Sequence, residues 1–208
     1  MEILSFPETK KLLLKYNLNT VKTIFLPSSE KEIKIPKKIK FPLVIKAVGK
    51  NIIHKTEKKL IALDIKNEKE LRKWILKTKK KNKNLDGFLI QEKAKGIEMF
   101  FGIKRDNSFG IILILGLGGI FVEVLQDVQY LIYPFSKKEV KNALLSLKAA
   151  KILKGYRNQE PVNLDKISDF CINLSRMAKE KDYIREIDFN PVFILKDNLQ
   201  IVDPKIYV

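Results

Sequence analysis

An α+β fold is what this 208-residue sequence predicts, and three observations carry that reading. Hydrophobic residues make up 45% and charged residues 31%, which supplies both a core and a solvated surface. Strand-like and helix-like segments mix without the strict strand–helix–strand rhythm of a doubly wound parallel sheet. The apolar stretch from Gly110 to Val122 is too short and too broken by glycine to span a bilayer. The length suits one large domain or two small ones.

The elements follow in chain order. Residues 7–16 read as a short helix with Leu12, Leu13 and Leu14 on its apolar face. Phe41 to Val48 (FPLVIKAV) reads as a strand opened by a proline, and Ile61 to Ile65 as a second. Asn67 starts a helix, with Glu70 three residues on as its capping partner and Leu71, Trp74, Ile75 and Thr78 on the inner face. The lysines from Lys77 to Lys83 read as its solvated end and loop. Gly87 to Gln91 is a strand. Met99–Lys104 and Ile111–Leu115 are two more, joined by the turn Arg105-Asp106-Asn107-Ser108. A glycine loop follows at Gly116-Leu117-Gly118-Gly119. Ser136 and Glu139 cap a helix reaching about Ala150, and residues 165–179 form another. Two strands, Ile184–Leu195 and Leu199–Val202, close the sequence around Lys196-Asp197-Asn198.

The formal net charge is +17, from 41 Lys and Arg against 24 Asp and Glu, which favours anionic partners. Only five of the 41 are arginines (Arg72, Arg105, Arg157, Arg176 and Arg185), and base readers lean on arginine, so nucleic acid is disfavoured and a general lysine bias is the expected source of the charge. The first residues, Met-Glu-Ile-Leu-Ser-Phe-Pro-Glu, lack the basic and apolar regions of a secretory signal, and Cys171 is the only cysteine. The cytoplasm, with no membrane attachment, is the expected compartment.

The strongest chemical signal lies near the C-terminus. Glu186, Asp188 and Asn190 occupy every second position, which puts three oxygen-bearing side chains on one face of a strand. If the hairpin turns at Lys196-Asp197, paired positions sum to 393, and Asn190 faces Asp203 across the ladder at about 5 Å between Cβ atoms. Converging hard oxygens suit magnesium, which takes one or two carboxylates and completes its shell with water and phosphate. A solvated polar sheet face is the alternative, and four such positions in one register favour the metal. Glycines at 116, 118 and 119 let backbone amides approach phosphate, although by itself the loop also reads as a structural turn. His54, the only histidine, sits among polar neighbours past a strand that carries Lys46, a candidate phosphate ligand. A lone histidine is usually structural, yet its neutral imidazole is a competent nucleophile near pH 7.

Taken together, these segments resemble the ATP-grasp β subunit of ADP-forming acetate–CoA ligase. Phe41-Pro42-Leu43-Val44-Ile45-Lys46 is similar to that family's Pro-Val-Val-Leu-Lys strand, and His54-Lys55-Thr56-Glu57 to its His-Lys-Ser-Asp. Gly96-Ile97-Glu98, and Asp106 with Phe109-Gly110, match the next signatures, and Gly116 through Asp127 (GLGGIFVEVLQD) is nearly the family's text. Leu153, Gly155 and Arg157 match Leu-x-Gly-x-Arg, Glu186 to Pro191 matches Glu-Ile-Asp-x-Asn-Pro, and Asp203-Pro204-Lys205-Ile206 resembles the closing motif.

The resemblance implies an ATP-grasp fold of two α+β lobes with the nucleotide between them. The lobes would be residues 1–95, including the leading helix, and 96–208, with the magnesium and phosphate site. Lys46 would contact phosphates, Gln91, Glu92 and Lys93 would form the hinge beside adenine, and Glu98 would bind ribose. Gly116, Gly118 and Gly119 would cradle phosphate, and Asn190 and Asp203 would hold Mg2+, as in the related succinyl-CoA synthetases. His54 would relay phosphate between a partner histidine and ADP. The reaction would be acyl-CoA + ADP + phosphate giving acid + ATP + CoA, catalysed with a CoA-binding α subunit in an α2β2 assembly. Where the family has a small residue and two glycines after His-Lys-Ser-Asp, this sequence has Lys58-Lys59-Leu60, and the later Arg-Gly pair is Arg157-Asn158. An ATP-grasp module that binds nucleotide or partner without turnover is therefore the alternative.

Overall fold

The computed structural model describes residues 1–30, 33, 39–49, 60–82, 84–119, 124–156 and 160–208. The chain divides into two compact units, Val21–Lys93 and a second made of Met1–Thr20 with Ala94–Val208.

The smaller unit is one sheet backed by one helix. Strands β1 (Thr23–Pro27), β2 (Leu43–Val48), β3 (Ile61–Ile65) and β4 (Gly87–Glu92) pair antiparallel in the order β1-β4-β2-β3. Leu43, Ile45 and Ala47 of β2 and Phe88 and Ile90 of β4 alternate onto one face and are buried there. Helix α2 (Glu68–Lys81) covers that face with Leu71 and Ile75, while Trp74 meets Phe88 edge-on with ring centroids 6.1 Å apart. The Asn67 side chain accepts the Glu70 amide at 3.0 Å, satisfying one of the helix's otherwise orphaned donors.

The larger unit is built on a six-stranded antiparallel sheet. Its path is β10 (Pro204–Tyr207), β8 (Glu186–Leu195), β5 (Ile97–Asp106), β6 (Gly110–Leu117) and β7 (Val128–Ile132), with β9 (Asn198–Ile201) also pairing β8. Helices α1 (Phe6–Lys15), α3 (Lys137–Leu145) and α4 (Leu164–Glu180) contribute to a single apolar cluster with the buried residues of these strands. Met99, Phe101 and Ile103 of β5 and Ile187 and Phe189 of β8 point into it. Among the described residues no helix is long and apolar enough to cross a membrane.

Two expectations change. The leading helix was expected with residues 21–95, but Met1–Thr20 groups with Ala94–Val208 because Leu12, Leu13, Tyr16 and Leu18 are buried in the larger unit's cluster. The helix opened by Ser136 and Glu139 ends at Leu145, not near Ala150. The Ser146 amide is already shared between the carbonyls of Asn142 and Ala143, and the Lys148 and Ala149 amides donate instead to the buried carboxylate of Asp127 at 2.8 and 3.0 Å. Those amides are thereby withdrawn from the helical ladder, and a short 3-10 turn, Ala150–Ile152, follows.

Candidate functional site

In the smaller unit the residues singled out by sequence lie on β2 and β4. Because Ile45 and Ala47 face α2, Lys46 between them points to the opposite face of the sheet. It is buried, at 7% exposure, and stands in register with Leu89 of β4 and Ile61 of β3. Gln91, next to last in β4, is nearly fully buried, and its Nε2 donates to Thr23 Oγ1 at 3.1 Å. The Glu92 carboxylate accepts the Lys40 amide at 3.0 Å and the Lys22 ammonium at 3.4 Å, and Lys93 pairs with Asp64 at 2.8 Å. The division between the units falls immediately after Lys93. His54, with Lys58 and Lys59, lies outside the described residues.

In the larger unit the structure brings the glycine loop and Glu98 together. The Gly118 amide donates to the Glu98 carbonyl at 2.8 Å. A Cβ added at Gly118 would stand 3.1 Å from Glu98 Cβ and 3.3 Å from its carbonyl carbon and oxygen. The glycine is what lets the loop lie this close. One at Gly119 would stand 3.7 Å from the Glu98 carboxylate, so the side chain reaches along the loop. Glu98 itself is exposed, on the sheet face opposite the apolar cluster. Gly96 explains how β5 enters beside β8: its φ is +123°, and any Cβ there would fall 2.1 Å from the Ile194 carbonyl oxygen.

The register predicted for the C-terminal strands holds on both sides of the proposed metal pair. Leu195↔Asn198 through Val192↔Ile201 each sum to 393, and so do Phe189↔Pro204 through Glu186↔Tyr207. Asn190, Pro191, Val202 and Asp203 fill the interval, where the Val202 amide donates to the Pro191 carbonyl at 3.2 Å. On the other edge of β8 the register slips between Met99 and Phe101, so Asn190 and Pro191 both oppose Phe100. Phe100 pairs in turn with Gly116. Gly116, the Asn190 bulge and Glu98 two residues from Phe100 thus share one region of the sheet.

Asp188 proves structural. Its carboxylate pairs with Lys205 at 3.1 Å directly across the β8–β10 ladder. Burial opposes the charge on Lys205, but Asp188 and then Asp203 outweigh it and hold its pKa above the ordinary lysine value. Among the described residues no group of three or more His, Cys, Asp and Glu gathers at a metal-binding distance. Asn190 and Asp203 would offer two hard oxygen ligands, a set that suits Mg2+ only with water and phosphate completing the shell. Sequence reasoning gave Asp127 no role beyond closing the Gly116–Asp127 match, yet its carboxylate accepts two backbone amides and ties the chain there to Lys148 and Ala149.

Two α+β units, one with a buried lysine on the sheet face away from its helix and the other with a carboxylate beside glycines, define a protein of the ATP-grasp class. A family model described as an ATP-grasp domain matches residues 1–208. The chain is 34% identical to the β subunit of the ADP-forming acetate–CoA ligase II of Pyrococcus furiosus, over 96% of this chain and 89% of that one. It is also 34% identical to the ADP-forming acetate–CoA ligase II of Archaeoglobus fulgidus, but spans only 30% of that relative's length. Among solved structures it superimposes with a TM-score of 0.89 on an acetyl-coenzyme A synthetase of Ca. Korarchaeum cryptofilum in complex with coenzyme A and Ca-AMPCP, at 31% identity and covering 100% of this chain and 93% of that one. A second structure of that synthetase, with Mg-AMPPCP and a phosphohistidine segment pointing towards the nucleotide site, matches with a TM-score of 0.82 at 27% identity, over 99% of this chain and 92% of that one. The chain belongs to the family of ADP-forming acetate–CoA ligase β subunits.

Proposed function

We propose that this chain binds ATP or ADP with Mg2+ and relays phosphate as the β subunit of an ADP-forming acyl-CoA synthetase. The observation that carries the reading is the close approach of Gly118 to Glu98 on the same sheet face as the Asn190–Asp203 interval. In this reading Lys46 neutralises nucleotide phosphate, and Gln91, Glu92 and Lys93 border adenine. Glu98 accepts the ribose hydroxyls, and the amides of Gly116, Gly118 and Gly119 border the phosphates. Asn190 and Asp203 hold Mg2+, which supplies charge neutralisation at phosphate oxygens. The His54 imidazole accepts the phosphoryl group as the nitrogen–phosphorus bond on the partner histidine breaks, then yields it to a β-phosphate oxygen of ADP. The net reaction is acyl-CoA + ADP + phosphate giving acid + ATP + CoA. A CoA-binding α subunit, in an α2β2 assembly, supplies the acyl-CoA site.

A second reading, a binding module without turnover, is favoured by Leu60. It stands where the family has glycine, yet it is buried in the smaller unit's apolar cluster, and its carbonyl accepts the Ala47 amide at 2.9 Å. The chain just after the His54 segment is therefore anchored where a glycine would leave it freer. One experiment separates the two. The chain, a candidate α subunit, Mg2+ and γ-labelled ATP are incubated, and an acid-labile, base-stable label is sought on this chain. Label that disappears in His54→Ala is the expected result. Absence of label while the nucleotide still binds would overturn the relay and leave the binding module.

A further inference from the structure

The charge of this chain is concentrated in one unit. Val21–Lys93 carries 21 Lys and Arg against eight Asp and Glu, a net of +13 in 73 residues. The remaining 135 residues carry 20 against 16, a net of +4. A compositional lysine bias would load both units alike, so the asymmetry needs a local cause.

Five of those thirteen net charges stand on α2. Its sequence, EKELRKWILKTKKK, has seven basic residues against two acidic ones, and both acids are engaged locally. Glu68 binds Arg72 at 2.5 Å, and Glu70 accepts the Lys66 amide at 2.8 Å and the Asn67 side chain at 3.0 Å. Lys69, Lys73, Lys77 and Lys80 are exposed, and among the described residues none of them meets a carboxylate at ion-pair distance. Lys69, Lys73 and Lys77 follow one another at i, i+4, a spacing at which like charges weaken a helix. The three lysines of the last turn complement the helix dipole, but Lys69 lies in the first turn, where a cation is unfavourable. The helix thus carries charge that costs it stability and that helix formation does not explain. Leu76, 56% exposed, sits in the middle of this outer face.

Phosphate binding does not explain it either. Lys46 points to the sheet face opposite α2, so sheet and helix both intervene. With a helix about 10–12 Å across, the outer lysines stand farther from that face than the roughly 8 Å over which exposed charges act in physiological salt.

We propose that the outer face of α2 docks an acidic protein segment, with Leu76 as the apolar anchor inside a rim of Lys69, Lys73, Lys77 and Lys80. Charge complementarity selects the acidic partner, and an apolar centre ringed by polar contacts is how protein interfaces concentrate their affinity. Nucleic acid fits less well. The helix has one arginine, already held by Glu68, and its one aromatic residue, Trp74, is turned in towards Phe88, which leaves nothing on this face to stack on a base. The surface is separate from the phosphate relay and stands whether or not the relay operates.

The test uses the full chain and three labelled polymers of similar length: polyglutamate, a 4:1 glutamate–tyrosine copolymer, and oligothymidylate. The copolymer is expected to bind most tightly, with affinity falling steeply as salt rises. Lys69→Gln/Lys73→Gln/Lys77→Gln is expected to weaken it by about tenfold or more, given the modest worth of each exposed ion pair. Leu76→Asn is expected to erase the advantage of copolymer over polyglutamate. Circular dichroism and binding of an ATP analogue, both unchanged, show that the variants remain folded. Absence of binding at low salt, or full affinity in the triple variant, would overturn the proposal. Tighter binding of oligothymidylate, lost in the triple variant, would overturn it in favour of nucleic acid.

Discussion

Single residues decide how closely the glycine loop can lie to Glu98. Gly118 has an ordinary backbone conformation, so alanine there is opposed by contact alone: its Cβ would press on Glu98 Cβ and on the Glu98 peptide, which the β5 ladder holds. We expect Gly118→Ala to cost about 1–2 kcal/mol of stability and to weaken binding of an ATP analogue several-fold by calorimetry. Unchanged affinity would detach the loop from the nucleotide site. Tyr16 gives a pH signature. Its hydroxyl donates to Glu180 at 2.7 Å, and burial, reinforced by that bond, pushes its pKa up to about 12. In the unfolded chain it ionises near pH 10, so the folded state holds the proton longer and stability falls as pH rises from about 10 to 12. Urea titrations should show the gap between the native chain and Tyr16→Phe closing across that window; a constant gap would refute the assignment. The Asn190–Asp203 register was legible in the sequence because a two-residue turn at Lys196-Asp197 fixes every pair beyond it. The same sum sets Asp188 opposite Lys205, but register alone does not say that the two side chains bind each other rather than a metal.

At the level of elements, the strands buried between neighbours were readable from their apolar runs and turns. The strands that escaped, β1, β7 and β10, all lie at sheet edges. They are four or five residues long, β1 ends in Pro27 and β10 opens with Pro204, and an edge ladder tolerates such residues where a central one does not. Their pairing is dictated by a distant strand, so no local pattern announces them. Helix α3 was overrun for a related reason: Asp127 takes its downstream amides from 21 and 22 positions away in sequence. Capping, a local device, was by contrast readable at Asn67 and Ser136, but not at Asn163. The Asn163 side chain accepts the Asp165 and Lys166 amides at 2.9 and 3.3 Å while its amide donates to Asp197 in the β8–β9 turn at 2.8 Å. It therefore joins the start of α4 to the turn that sets the C-terminal register. Asn163→Ala should lower stability by about 1–2 kcal/mol, a fall of several degrees in melting temperature for a chain of this size. A shift below one degree would show the cap to be dispensable.

For the molecule as a whole, the division into two units is an insertion: the chain leaves the larger unit after Thr20 and returns at Ala94. Both connections are anchored on one hairpin, for Thr20 bridges Ile201 of β9 and Ile97 pairs Ile194 of β8. Three strand spacings and two residues of rise place these anchors roughly 16 Å apart, within reach of a five-residue linker. Replacing Val21–Lys93 by such a linker should leave a piece that unfolds cooperatively and no longer binds nucleotide; a product without a cooperative transition would show that the larger unit depends on the smaller. The lobe-level division was foreseeable only in part, because the burial of Leu12, Leu13, Tyr16 and Leu18 depends on strands about ninety or more residues away. The outermost residues have a consequence of their own. Glu2 and Val208 exchange two backbone hydrogen bonds, at 3.2 and 2.9 Å, and Leu4 continues the ladder to Ile206. The backbone from Glu2 to Val208 thus runs as a ring that nearly closes on itself. Such a ring can be sealed there and cut elsewhere, at the exposed Asn107-Ser108 turn for instance, and it can be carried inside a larger protein through a single narrow doorway without rearranging anything it contains.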